Sequence, residues 1–405
     1  MLTFRKVAVP VVYTDFLSMY PTVNSLMNLW QFVIARQIKV VDHYQDEIVQ
    51  FLERLTVDCL FDRETWKYLT AFVRVIPDGE ILPTRGQYSS SNDWQVAVNY
   101  LYAGAPDDAL WFSLPDVVAS VILTGRIPKI VDAFRIEASG GKLEELRPTK
   151  FRGTIEIDPR KQDFFKVVIE ERKRVGSRGD LSPEEKERMS KALKVLANST
   201  SYGIYGQMDR RENGDKKLVK CHGIDADPYT CSVANVEIPG EFCFPPLASL
   251  ITGAARLMLA LLEKCVTDLG GTYAMEDTDS MAIVATKRGG LVPCPGGSFN
   301  LRNGSKAIKA ITWAQVENIA KRFEALNPYD RDSVPGSILK IEDDNFDPTT
   351  KKQRQIWCVA ISAKRYALFL KDKSNTPSLL RKGQNSKDNH WSEHGLGHLL
   401  NPADL

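Results

Sequence analysis

Carboxylates stand at two places in this sequence where burial would make them costly. Asp15 ends the apolar run Val7–Asp15, and Asp277 and Asp279 lie between two further apolar segments. An ionised carboxyl group in apolar surroundings is unfavourable unless a positive charge compensates it. Side chains two apart on a strand share a face, so Asp277 and Asp279 could point together, and neighbouring strands would bring them to Asp15. Such a cluster predicts bound Mg²⁺ or Mn²⁺, which prefer oxygen ligands.

Two divalent cations held by shared carboxylates serve in-line phosphoryl transfer, in which the ions lie about 3.5–4 Å apart. The alternative for Asp277-Thr278-Asp279-Ser280 is a plain turn, because these residue types favour turns. Both interpretations stay open on the tetrapeptide alone.

A cationic stretch supplies charge of the opposite sign. Lys194 and Asn198 are four residues apart and share one face of a predicted helix. Arg172, Lys173 and Arg174 end the helix before it. Together these side chains could clamp a triphosphate. The alternative is a solvated helix face, which is common for Lys/Arg-rich helices.

These residues fall in four motifs that resemble those of the family B DNA polymerases, in the same order. Asp15–Pro21 (DFLSMYP) is similar to the first palm motif, D-x-x-S-L-Y-P. Lys194–Gly203 (KVLANSTSYG) resembles the fingers motif K-x-x-x-N-S-x-Y-G, with one extra residue before Tyr202. Asp277–Ser280 matches the D-T-D-S of the third motif, and Lys364–Tyr366 matches the K-x-Y element.

The resemblance implies three groups of functional residues. Catalysis and metal binding fall to Asp15 and Asp279, with Asp277 as a weaker or more distant ligand. Contact with the incoming nucleotide is implied for Ser18, Met19 (through its backbone), Tyr20, Arg172, Lys194 and Asn198. Contact with DNA is implied for Tyr202, Gly203, Lys364, Arg365 and Tyr366. Tyr20 would lie beside the sugar 2′ carbon and so reject ribonucleotides.

The implied cofactors are two Mg²⁺ (or Mn²⁺) ions, and the implied partners are primer-template DNA and deoxynucleoside triphosphates. Ala274-Met275-Glu276 stands where the family usually has a Tyr-Gly pair. Glu276 is either an additional ligand or, as strand alternation favours, directed to the opposite face. The family's exonuclease domain and most of the thumb have no counterpart in these residues, so a separate chain is a further expected partner.

Hydrophobic patterning predicts an α+β fold with an antiparallel sheet covered by helices on one face. The predicted parts are a first palm segment (1–37), an inserted subdomain and connection (38–160), fingers (161–203), a second palm segment (204–371) and a polar tail or start of a thumb (372–405).

Local signals give several helix boundaries. Ser113 and Gly125 bracket a short helix, and Ser182-Pro183-Glu184-Glu185 opens another with a capping box. Thr22–Arg36 and Asp42–Leu55 show helical spacing, with Asp42 as the expected N-cap of the second.

Composition sets outer limits on class and location. The chain has 405 residues, 43% of them hydrophobic and 26% charged, as in ordinary globular proteins. The net charge of +2 argues neither for nor against nucleic acid as a partner. No uninterrupted apolar run reaches the length of a membrane span, so no membrane partner is expected. Seven cysteines at irregular spacing, without a secretory signal, indicate a reducing compartment, by default the cytoplasm.

Two other groups of metal-binding residue types are weaker candidates. Cys221, His222, Cys231 and Cys243 do not follow a zinc-site spacing. Glu393 and His394 with His398 are interpreted as a loop, because Gly395 and Gly397 would break the helix that a zinc-protease motif needs.

The sequence therefore predicts a DNA-directed DNA polymerase, a nucleotidyltransferase that extends a primer 3′ end and releases pyrophosphate. The alternatives are a non-catalytic DNA-binding remnant of a polymerase and a primase or RNA-copying enzyme on a related palm.

Overall fold

In the computed structural model the chain is described over residues 7–87, 94–105, 107–151, 155–221, 228–362, 365–371, 374, 376–380 and 393–394. Helices and strands are segregated along this part of the chain, and nearly all strand pairs are antiparallel. The predicted α+β class is confirmed.

The helices, in chain order, are α1 Met19–Leu26, α2 Trp30–Ile34, α3 Gln45–Arg54, α4 Arg63–Tyr68, α5 Leu114–Thr124, α6 Phe164–Ser177, α7 Pro183–Ser201, α8 Pro245–Asp268 and α9 Trp313–Arg322.

The strands of the first half are β1 Ala8–Phe16, β2 Ala35–Val41, β3 Ala71–Ile76, β4 Asp78–Gln87, β5 Trp94–Tyr102, β6 Leu110–Ser113, β7 Lys129–Lys142, β8 Thr149–Phe151 and β9 Ile155–Ile157. Those of the second half are β10 Met208–Cys221, β11 Tyr229–Pro239, β12 Tyr273–Asp277, β13 Ser280–Thr286, β14 Gly290–Pro293, β15 Phe299–Asn300, β16 Lys306–Thr312, β17 Leu339–Ile341, β18 Ile356–Ser362, β19 Arg365–Lys371, β20 Pro377–Leu379 and β21 Glu393–His394.

Strand β1 lies at the centre of the main sheet, whose order is β14-β16-β13-β1-β18-β19-β20. It pairs antiparallel with β13 along one edge, and with β18 and then β17 along the other. The single parallel pair of the described strands joins β13 to β16. Because β1 is apolar and buried along most of its length, the sheet fixes where its last residues emerge.

A second sheet, β2-β7-β3-β6, belongs to the stretch predicted as an insertion, and two long ribbons, β4-β5 and β10-β11, extend from the chain. The ribbons carry exposed hydrophobic residues such as Tyr100, Tyr102 and Leu218. Sequence patterning does not predict either ribbon.

Helix α8 is the longest helix and the main core element. By length and composition it is apolar enough to cross a membrane, so the expectation that no apolar segment reaches that size was wrong. It is nevertheless a core helix: 61% of its most hydrophobic window is buried inside the protein, and it packs against α1, α5, α9 and β13.

Helix α5 is joined to α8 by a close contact and an ion pair. A Cβ atom on Gly253 would lie 2.1 Å from Oγ of Ser113, the N-cap residue of α5, so only glycine allows this approach. Nearby, the Arg256 guanidinium contacts the buried Asp116 carboxylate with both Nε and Nη2, at 2.6 and 2.9 Å. Ser113 Oγ also donates to Asp116 at 2.7 Å. These contacts fix the β2-β7-β3-β6 region against the helix beneath the main sheet.

Two predicted helix features differ from the structure. Thr22–Arg36 is not one helix: α1 ends at Leu26, Asn28 adopts a positive φ of 55°, and β2 begins at Ala35. Asp42 does not cap α3, whose N-cap is Tyr44, because β2 continues to Val41 and delays the helix. The predicted caps at Ser113 and Ser182 are confirmed, the latter with a complete capping box.

The α5–α8 contact can be tested by Gly253→Ala. The added methyl group would overlap Ser113, so we expect a loss of about 1–3 kcal/mol in the free energy of unfolding, measured by chemical denaturation. Gly176→Ala is the matched control, because the space around that helical glycine is open. It should change stability by less than about 1 kcal/mol. Equal stability of the two variants would contradict the close packing.

Candidate active site

The sheet brings Asp15 and Asp279 together. Asp15 is paired with Ser280 across β1 and β13, and the Phe16 amide donates to the Asp279 carbonyl oxygen at 2.8 Å. Burial, followed by the negative charges of Asp279 and Glu342, raises the pKa of Asp15 to about 8. The Phe16 amide and the Lys194 ammonium act in the opposite direction but more weakly. Asp15 is therefore a carboxyl group in a negative, partly desolvated site.

Asp277 and Asp279 flank a tight turn and do not lie on one extended strand. Thr278 has a positive φ of 55°, and the Asp279 amide donates to the Asp277 carbonyl oxygen at 2.6 Å. The alternation argument used for the two side chains therefore fails, because β12 ends at Asp277 and β13 begins at Ser280. Asp277 Oδ1 accepts from Thr278 Oγ1 at 3.0 Å. Burial, followed by the charges of Tyr13 and Asp277, raises the pKa of Tyr366.

Beneath this turn lies a group of buried hydroxyls. Tyr13 is hydrogen-bonded to Ser280 and to Tyr366, and burial raises the pKa of Tyr13 to about 12. Tyr366 is only 5% exposed and belongs to a core cluster. Its ring is therefore packed in the core instead of lying on an open surface, as a primer contact would require. Arg365 is exposed at the start of β19, and Lys364 lies outside the described residues.

Two charged residues at the site, Glu342 and Lys340, were missed by sequence reasoning. The charge of Glu342 contributes to the raised pKa of Asp15. The pKa of Glu342 is itself raised by burial and by the charges of Asp343, Asp344 and Asp279. Lys340, paired with Asp15 across β17 and β1, lies close enough to Lys173 of α6 for its positive charge to help lower the pKa of Lys173, after burial.

A signal for Glu342 was present in the sequence. An apolar strand that ends in Glu342-Asp343-Asp344 is the pattern that singled out Asp15. The sequence carried no signal for Lys340, because its proximity to Lys173 depends on how α6 docks against β17.

The cations of the helical hairpin α6–α7 divide into two sets. The charge of Lys194 favours a lower pKa of Asp15, and the Lys194 side chain is exposed. Asn198 is also exposed, one turn further along the same helix. Burial lowers the pKa of Arg172, and burial together with Lys340 lowers the pKa of Lys173 to about 8. Of these cations, Lys194 lies within electrostatic range of Asp15 and Lys173 within range of Glu342.

Arg174 belongs to the other set. It pairs with Glu171, Glu170 and Asp330 and donates to Ser333, so it ties α6 to the chain after α9. Its expected part in a triphosphate clamp is not supported, because its guanidinium is occupied by these carboxylates.

The turn after β1 places Tyr20 against the end of α7. Ser18 adopts a left-handed conformation (φ 45°), Met19 is buried, and Tyr20 is half-buried. The rings of Tyr20 and Tyr202 stack with centroids 5.0 Å apart and 17° between their planes. Gly203 follows directly with open space around its Cα. The extra residue in the fingers motif thus leaves Tyr202 beside Tyr20.

The donor set was tested against the implied divalent cations. Asp15 Oδ1 is buried and accepts no hydrogen bond from any described residue. Among the described residues no three His, Cys, Asp or Glu side chains converge into a ready metal-binding group. Mg²⁺ commonly uses one or two carboxylates, with water and substrate phosphates completing the shell. The Asp15–Asp279 pair fits that mode of binding, whereas the described part of the chain holds no preformed three-carboxylate site.

Glu276 faces away from this pair. Burial and the charge of Glu263 on α8 raise the pKa of Glu276 to about 8. Burial, followed by the charges of Glu276 and Glu263, also raises the pKa of Tyr273. Of the two alternatives for Glu276, the opposite face of the strand is therefore the one observed.

Neither of the two weaker candidate metal sites is assembled among the described residues. Cys221 and Cys231 lie together on the β10-β11 ribbon, with Sγ atoms 3.3 Å apart, but Cys243 lies at the other end of the ribbon beside Met208. His222 and His398 lie outside the described residues. Glu393 and His394, expected in a loop, form the short strand β21 against β19.

No family model and no curated protein matches the chain. Among solved structures it is similar to phi29 DNA polymerase complexed with primer-template DNA and incoming nucleotide substrates, at 13% identity and a TM-score of 0.38. It is also similar to phi29 DNA polymerase complexed with single-stranded DNA, at 12% identity and 0.39. The matches cover 96% and 97% of this chain and 51% of each of those chains, so the chain spans about half their length.

The raised pKa of Asp15 predicts a pH-dependent cost in the cation-free protein. The unfolded carboxyl group loses its proton near pH 3.8, whereas the folded one keeps it until about pH 8. The relative stabilisation of the folded state is therefore greatest at low pH and is lost as the pH rises between these values. Asp15→Asn should raise stability above pH 8 by about 1–2 kcal/mol, allowing for partial exposure, with little change near pH 4.

Thermal unfolding in EDTA at the two pH values measures this effect. Asp332→Asn, at an exposed position, is the control and should show no such difference. A lower stability of Asp15→Asn than of wild type at high pH would contradict the claim that the ionised Asp15 carboxylate destabilises the fold.

Proposed function

We propose that this chain carries out template-directed DNA synthesis, adding deoxynucleotides to a primer 3′ end. The observation that carries the proposal is the meeting of Asp15 and Asp279 at the β1–β13 edge, with Lys194 in electrostatic reach. A negative site facing a cationic helix suits a substrate that is itself a metal-bound polyphosphate. The resemblance of the four motifs to family B polymerases points to the same reaction.

Each side of the cleft would have its own task. Two divalent cations, when bound, would make the primer 3′ oxygen a better nucleophile and offset charge on the phosphates. Asp15 and Asp279 would hold these cations through carboxylate oxygens. Lys194 and Arg172 would hold the β- and γ-phosphates, so that the bond from the α-phosphate to the leaving pyrophosphate lies in line with the attacking oxygen. The primer hydroxyl loses its proton and the new phosphodiester bond replaces the bond to pyrophosphate.

Tyr20 and Tyr202 would form the side of the nucleotide pocket that faces the sugar. A stacked pair is a rigid wall, since each ring restricts rotation of the other. A ribose 2′-hydroxyl directed at that wall would be buried without a hydrogen-bond partner. This arrangement favours deoxynucleotides and argues against the primase and RNA-copying alternatives.

The remaining alternative is a DNA-binding remnant without catalysis. The orphaned Asp15 oxygen counts against it, because an inactive fold gains nothing from keeping a buried carboxyl group among like charges. We further propose primer-template DNA as the macromolecular partner and the cytoplasm as the location.

A primer-extension assay with Mg²⁺ tests the reaction. Asp279→Asn keeps the size of the side chain but removes the charge that would bind the cations, so kcat should fall by about 1000-fold or more while DNA binding persists. Asp332→Asn provides a charge-matched control at an exposed position outside the site and should extend normally. Unimpaired extension by Asp279→Asn would mean that other groups hold the ions.

Sugar selection is tested by Tyr20→Val. Shortening the wall should raise the ratio of kcat/KM for ribonucleotides to that for deoxynucleotides by about 10-fold or more, because discrimination is a difference in transition-state binding. Tyr273→Val, at a partly buried tyrosine on the Glu263 side of β12, is the control. A ratio that stays at its wild-type value in Tyr20→Val would assign sugar selection to another group.

A further inference from the structure

Asn24 is a fully buried polar residue at the junction of two helices. It lies on α1, one turn after Tyr20, and has no exposed surface. Its Nδ2 group donates to the Tyr20 carbonyl oxygen and to the Ser201 carbonyl oxygen, each at 2.8 Å. One amide group therefore joins the backbone of α1 to the backbone of α7.

The second of these acceptors is at the end of a helix. Ser201 is the last residue of α7, and the final carbonyl groups of a helix have no partner within it. Ser201 is itself fully buried, so water does not readily replace the missing donor. Asn24 thus satisfies a buried carbonyl group that α7 leaves open.

The two acceptors flank the stacked rings. One belongs to Tyr20 and the other to Ser201, the residue before Tyr202, and these two tyrosines stack with 17° between their planes. At Tyr202 the backbone leaves the helix (φ −151°, ψ −65°), so its ring direction depends on where α7 stops. A contact that fixes Ser201 against Tyr20 fixes the stack as well.

We call the two hydrogen bonds from Asn24 to α1 and α7 the Asn24 bridge. This bridge has an energetic cost that an apolar residue at the same position would avoid. Asn24 Oδ1 is buried and has no hydrogen-bond partner among the described residues, although the two carbonyl acceptors set the orientation of the amide. Leucine would fill a similar volume without burying an unpaired oxygen. An asparagine at this position is therefore explained by the two donors that it places between the helices.

We infer that Asn24 is a positioning residue for sugar discrimination: it sets the distance between the end of α7 and Tyr20 and so holds the Tyr20–Tyr202 wall closed against a 2′-hydroxyl. This inference rests on the proposed function, because the wall matters only if a nucleotide binds beside it. Asn24 acts through the tyrosines and does not touch the substrate.

Two variants separate the bridge from general stability. Asn24→Ser keeps a donor for the Tyr20 carbonyl oxygen, as serine commonly bonds the carbonyl four residues before it, but cannot reach Ser201. Asn24→Leu removes both bonds. Asn327→Ser is the matched control, because Asn327 is also fully buried and its Nδ2 donates to two carbonyl oxygens, of Val334 and Gly336.

The first measurement is the ratio of kcat/KM for ribonucleotides to that for deoxynucleotides. We expect Asn24→Ser and Asn24→Leu to raise it by about 5- to 10-fold, and Asn327→Ser to leave it within about 2-fold of wild type. A merely structural role would lower both rates together and leave the ratio unchanged in all three. An unchanged ratio in the Asn24 variants overturns the inference while leaving the proposed function intact.

The second measurement needs no activity. Hydrogen exchange of the amides of residues 202–206 should become faster in Asn24→Ser than in wild type or Asn327→Ser, since the end of α7 loses its anchor. Unchanged exchange there overturns the bridge itself and remains informative if the Asn24 variants are too unstable for kinetics. Absence of primer extension by the wild-type protein overturns the proposed function, and with it the role in sugar selection.

Discussion

The crowding of negative charge at the end of β1 is the constraint on which the rest of the structure depends. Asp15 is partly desolvated beside Asp279 and Glu342, and its pKa rises to about 8 as a result. Folding places these groups together only because β1 is paired on both sides, by β13 and by β17. Burial of the apolar residues of β1 stabilises the folded sheet, whereas repulsion between Asp15 and its acidic neighbours destabilises it. A site of this kind is suited to bind cations.

Two groups of helices lie around that charge. The α6–α7 hairpin brings Lys194, Arg172 and Lys173 to one side, and Arg174 ties the same hairpin to Asp330. On the other side, α8 carries the core and receives α5 through Gly253 and the Asp116–Arg256 pair. The stacked tyrosines lie where these groups meet, so the shape of the proposed nucleotide pocket depends on contacts made well away from the carboxylates.

The sequence predicted what local rules determine. Burial cost pointed to Asp15, capping chemistry predicted the starts of α5 and α7, and apolar length predicted β1. It failed where the backbone turns: the positive φ of Thr278 separates Asp277 from the strand geometry assumed for it, and that of Asn28 ends a predicted helix. The roles of Lys340 and Asn24 depend on long-range docking, which residue spacing does not report.

The central claim is that Asp15 and Asp279 bind divalent cations jointly. Anomalous diffraction from crystals of the protein soaked with Mn²⁺ and a deoxynucleoside triphosphate tests it most directly, because the signal locates each ion. The account predicts density within about 2–2.5 Å of carboxylate oxygens of both residues, with triphosphate oxygens in the same shell. Ions bound only elsewhere, for example at Glu276 and Glu263, with none between Asp15 and Asp279, would contradict it.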